Sequence, residues 1–153
     1  MTSVVALAAA LALFIVLTQP AAARDDKYVL PIQAALQSPD AHQKPDGTIK
    51  FFFGKNSAPP IASNFGTVTP HGKARTRRTD DMQACNVAFV AALVDFEKRA
   101  KKAGANAVVN IVSYYKNVEM ASATEFECHA DAAVHAILRG DLVKLADETP
   151  AKN

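Results

Sequence analysis

The sequence predicts an α+β domain, and three patterns carry that prediction. Residues 83–104 repeat apolar side chains at helical spacing, residues 105–112 form a short β-branched run, and residues 125–139 alternate with period two.

Cys85, Phe89, Ala92, Leu93, Phe96, Ala100 and Ala103 recur at three- and four-residue steps, which places them on one stripe of a helix. Glu97, Lys98, Arg99, Lys101 and Lys102 lie off that stripe. Their cations suit the negative end of the helix dipole. Gly104 supplies a left-handed stop, and Asp80 or Asp81 supplies an oxygen for the first free amides.

The run Ala105 to Val112 has the length and branching of a buried strand. If buried, its Asn106 and Asn110 need hydrogen-bond partners, which would tie the strand to neighbouring loops. A polar connection over residues 116–122 leads to the alternating run. There Phe126, Cys128, Ala130, Ala132, Val134, Ala136 and Leu138 face inward, opposite Glu125, Glu127, His129, Asp131, His135 and Arg139. Period two over that length predicts one long strand with one wet face. Cys85 and Cys128 thus both point inward, and a disulfide between them is expected. They are the only two cysteines and are too far apart in sequence for a CxxC redox motif.

Residues 1–23 read as a secretory signal: fourteen residues from Val4 to Leu17 are apolar, and Pro20 precedes Ala21-Ala22-Ala23. Fourteen residues are short for a membrane span. The expectation is a periplasmic or secreted protein of a Gram-negative bacterium, with 130 residues left for a single domain. A net charge of +2 gives no argument for nucleic acid or membrane as a partner.

Residues 24–47 read as an N-terminal extension with a short helical turn at Gln33 to Leu36. Pro45-Asp46-Gly47 is a turn that launches a strand at Thr48 to Phe53. Its three consecutive phenylalanines require that both faces be covered or that one ring sit in an interface. Residues 55–79 read as a long loop, with an edge strand near Phe65 to Thr69. The loop carries a basic cluster of Lys73, Arg75, Arg77 and Arg78, whose functional reading is anion binding. Gly66 to Ala74 imitates a phosphate loop but fails. Five residues separate its glycines where the motif has four, and Ala74 stands where Ser or Thr must reach magnesium. Residues 140–145 read as a turn and last short strand, and residues 146–153 as a frayed tail.

No serine has the glycines of a nucleophile elbow, and no paired-histidine metalloprotease motif is present. The one constellation with chemical content is the polar strand face, where Glu127, His129 and Asp131 are candidate metal ligands. His135 lies six residues beyond His129, which in one ideal strand puts their Cα atoms about 20 Å apart. Ser113, Tyr114 and Tyr115 are candidates for a pocket rim.

Two segments carry a family resemblance: Ala103-Gly104-Ala105-Asn106-Ala107-Val108-Val109-Asn110, and Ser122 to Ala130. With the strand at Thr48 to Phe53, the chain from Gln83 to Leu145 resembles the YbjQ-type and RcsF-like exported bacterial domains. Some such proteins bear an "excinuclease ATPase subunit" label, which nothing in this sequence supports. The resemblance implies a small twisted sheet with one long helix packed on it, and a helix-to-strand disulfide that Cys85 and Cys128 would match. The lack of a nucleophile–base set, beside the apolar Phe51-Phe52-Phe53 strand, gives the expectation of a non-enzymatic interaction or stress-sensing module of the cell envelope, meeting an envelope protein or its own copies. The alternative expectation is a periplasmic divalent-metal-binding protein. No other cofactor, nucleotide or nucleic acid is expected.

Overall fold

A computed structural model describes residues 24–76 and 80–146. The signal-like segment, Arg77, Arg78 and residues 147–153 of the tail lie outside the described residues.

Helix α2 (Asp81–Ala103) has the limits that its sequence dictates. Asp80 accepts a hydrogen bond from the Gln83 amide at 2.8 Å, and Gly104 closes the far end in the left-handed region at φ 76°. The short helix α1 (Ile32–Gln37) sits against it.

The remaining elements form one curled, eight-stranded sheet: β1 (Asp26–Pro31), β2 (Lys50–Phe53), β3 (Ile61–Val68), β4 (His71–Ala74), β5 (Ala107–Tyr115), β6 (Val118–Met120), β7 (Glu125–Ala130) and β8 (Val134–Leu145). β8 is the shared partner. Along one edge it pairs with β4 and then β3, whose registers (His71 opposite Ile137, Val68 opposite Gly140) continue one another across Pro70. Along the other edge it pairs with β7 and then β5. β1 extends the sheet beyond β7, β2 runs parallel to β5, and β6 folds back on β5.

α2 lies on the inner face of this sheet and buries Phe89, Leu93 and Phe96 against Phe126, Leu138 and Ile111. The rings of Phe89 and Phe126 stack at 4.2 Å. Helix and sheet come closest at Gly72: a Cβ there would lie 1.8 Å from the carbonyl oxygen of Ala88. Cys85 and Cys128 are fully buried and bonded, their Cα atoms 5.8 Å apart, so a bridge joins α2 to β7. Phe51 and Phe53 pack on this core. Phe52 turns to a smaller cluster of Ala107, Val109, Val143 and Leu145, so both faces of β2 are covered.

Several expectations are corrected. The alternating run is two strands, because Asp131-Ala132-Ala133 forms a turn. Asp131 nucleates it: its carboxylate accepts from the Ala133 amide at 2.9 Å, and its own amide donates to the Ala133 carbonyl at 2.9 Å. β8 then continues through Gly140 to Leu145, where a turn and a separate short strand were expected. The expected loop at 55–79 contains β3 and β4. The N-terminal extension contributes β1 and α1 to the domain. The outward face of β7 is not wet: Glu127 and His129 are both buried.

Candidate functional site

Three ladders slip register at one place. β5 on β8 slips between Val109 and Val112, β2 on β5 between Phe51 and Phe53, and β3 on β8 between Asn64 and Thr67. At the centre is Asn110, in mid-strand yet left-handed at φ 53°. Asparagine enters that region more readily than most residues, but such backbone still costs on the order of 1 kcal/mol. Bulges of this kind re-aim a side chain. Here Asn110 Nδ2 donates to Asp141 Oδ2 at 2.9 Å, and its Oδ1 accepts from the Asn56 amide at 3.3 Å. Thr67 Oγ1 donates to the other Asp141 oxygen at 2.5 Å.

These groups form one wall of a polar cavity of about 360 Å³. The other wall holds Glu119, with Lys55 Nζ and an Arg139 guanidinium nitrogen each 2.6 Å from its two oxygens. Lys55 in particular, with Arg139, holds the Glu119 carboxyl below its ordinary range. The Arg139 guanidinium lies 4.2 Å over the Tyr114 ring, a cation–π contact. Sequence reasoning missed this cavity. Its one legible signal is Asn110, one of two amides in an apolar run; its partners come from segments as far as 74 residues apart.

The candidate metal ligands Glu127, His129 and Asp131 do not converge. Glu127 Oε1 is 2.7 Å from His129 Nε2, and Asp25 Oδ1 is 2.9 Å from His129 Nδ1, so carboxylates occupy both ring nitrogens. Burial opposes ionisation of Glu127, but Lys27 and His129 outweigh it and keep its carboxyl below the usual range. The His129 ring stacks on Tyr115 at 3.5 Å, and Lys116, then His129, pull the Asp25 pKa down to about 2. Asp131 sits instead in the turn, with His135 Nε2 3.3 Å away. Among the described residues, no group of three or more His, Cys, Asp or Glu is placed to hold a metal ion.

The expected 20 Å separation of His129 and His135 is also corrected: the hairpin makes them register partners. His71, which the sequence left in a loop, is in β4 with its Nε2 2.9 Å from His135 Nδ1. Burial first, then the charges of His135 and Lys73, holds the His71 pKa below its ordinary value. Within the basic cluster, Lys73 lies on β4 opposite His135, Arg75 follows the strand, and Arg77 and Arg78 lie outside the described residues.

No family model, curated protein or solved structure matches this chain. No helix among the described residues is long and apolar enough to cross a membrane.

Proposed function

We propose that this chain is an exported, non-enzymatic binding module of the bacterial cell envelope, and that the polar cavity at Asn110 is its binding site. Export is supported by the signal-like N-terminus and by the buried Cys85–Cys128 bridge, which suits an oxidising compartment. The YbjQ-type and RcsF-like resemblance points the same way. Binding rather than turnover is supported by the lining, which includes neither histidine nor cysteine and whose two carboxylates already have fixed partners, Thr67 and Asn110 on Asp141 and Lys55 on Glu119.

The single observation that carries the reading is the left-handed Asn110, an unfavourable backbone kept where it organises the cavity. Asn110→Gly tests it. Glycine tolerates the same φ, so the fold is retained, while both side-chain hydrogen bonds vanish. Amide NMR against a library of small polar metabolites should show ligand-dependent shifts around the cavity in the parent protein that weaken about tenfold or more in Asn110→Gly. Undiminished binding by the variant would count against the site.

A second reading, divalent-metal binding, is favoured by the His71–His135 pair. Asp131 lies behind Nε2 of His135, the usual position of a carboxylate that orients a ligating imidazole, and Nδ1 faces His71. The 2.9 Å between the two ring nitrogens is a hydrogen-bond distance, so a divalent ion would take the place of the shared proton. Calorimetry with Cu²⁺ and Zn²⁺ should show a binding heat for at least one ion that His135→Ala abolishes and His129→Ala retains. Equal heats in all three proteins would end this reading.

A further inference from the structure

Taking the cavity as a binding site, we propose that its ligand is a small zwitterion with a free ammonium and a free carboxylate, of amino-acid to dipeptide size. The charge layout of the two walls carries this. Asp141 is a half-buried carboxylate whose hydrogen-bond donors, Thr67 and Asn110, are both neutral. Among the described residues it takes part in no ion pair. An ionised carboxylate accepts at about four lone-pair positions, so Asp141 keeps open acceptors and an uncompensated charge.

Beside Asp141 on the same face of β8 lies the opposite excess. Lys55 and Arg139 share the single carboxylate of Glu119, which leaves one positive charge over. The Arg139 fork presents about five N–H donors, of which one nitrogen is engaged by Glu119. The Tyr114 ring packs against the guanidinium at 4.2 Å. Arg139 and Asp141 are two residues apart on β8, which in an extended strand puts their Cα atoms about 7 Å apart.

A bare anion would meet Asp141 and Glu119, and a bare cation would meet Lys55 and Arg139. A ligand with both charges satisfies both walls. The cavity of about 360 Å³ falls at the small end of ligand sites, which suits one or two amino-acid residues.

The test is calorimetry and amide NMR with alanyl-alanine, N-acetyl-alanyl-alanine and alanyl-alanine amide. The free dipeptide should bind with shifts at Asn110, Asp141 and Gly140, and each blocked form should bind at least about tenfold more weakly. Asp141→Asn should remove the discrimination against the acetylated peptide, and Arg139→Gln the discrimination against the amide. The wild-type comparison stands alone if either variant fails to fold. Equal binding of free and blocked peptides overturns the proposal. Cavity shifts with singly charged or neutral metabolites but with no dipeptide or amino acid also overturn it, while sparing the binding site. Silence of the cavity to every probe overturns both.

Discussion

Asp25 and His129 show how much one contact depends on sequence-distant neighbours. Asp25 stands next to the proposed signal boundary, yet its carboxylate reaches Lys116 at 2.6 Å and His129 at 2.9 Å, pinning the start of the described chain to β5 and β7. Its folded pKa of about 2 lies below the ordinary 3.8. A depressed carboxyl stabilises the fold above its unfolded pKa, and that contribution disappears as pH falls through the folded value. Acid titration followed by the Tyr115 and His129 ring resonances should therefore show the stack intact near neutrality and released as pH falls toward about 2. Asp25→Asn should loosen it already at neutral pH. A variant stack as ordered as the parent's would refute the clamp. His129 was legible as a chemically interesting residue beside Glu127; its partner Asp25 was not, because it is 104 residues away.

At the scale of elements, α2 was readable nearly to its last residue because every signal for it is local: a 3.6-residue stripe, an aspartate cap and a glycine stop. Residues 125–139 were misread for an equally physical reason. The alternation continues in phase through Asp131-Ala132-Ala133, with no glycine or proline to announce a turn, and the reversal depends on one Asx hydrogen bond. β3 was anticipated only in part, as an edge strand near Phe65 to Thr69, and β4 was hidden, because their partner, β8, lies far along the chain. Gly72 gives a sharp prediction at this scale. Its missing Cβ lets β4 lie against α2, so Gly72→Ala forces the helix outward from a 1.8 Å approach to backbone. The expected loss is about 3 kcal/mol or more, the upper end of overpacking costs, measured by urea unfolding. A neutral result would mean that helix and strand are less closely seated than described.

For the whole molecule, the disulfide constrains folding most. It closes a separation of 43 residues between the helix that covers the sheet and β7, which lies between β1 and β8. In the chain-entropy treatment, a loop of that size stabilises by on the order of 4 kcal/mol. Denaturant unfolding of oxidised protein and of a Cys85→Ala, Cys128→Ala double variant should differ by an amount approaching that figure, reduced or enlarged by repacking of the two buried sites. Intact mass of the protein isolated without reductant should show no free thiol, and two free thiols in an oxidised sample would remove the premise. By itself the sequence determined what short-range periodicity and composition can encode: the long helix, the buried strand, the inward cysteines, the single α+β domain and the expectation of export. Only the tertiary structure decided the hairpin at Asp131, the two-sided pairing along β8, the meeting of His71 with His135, and the cavity around Asn110. Those features arise from hydrogen bonds and ion pairs between distant segments, whose partners no local pattern specifies.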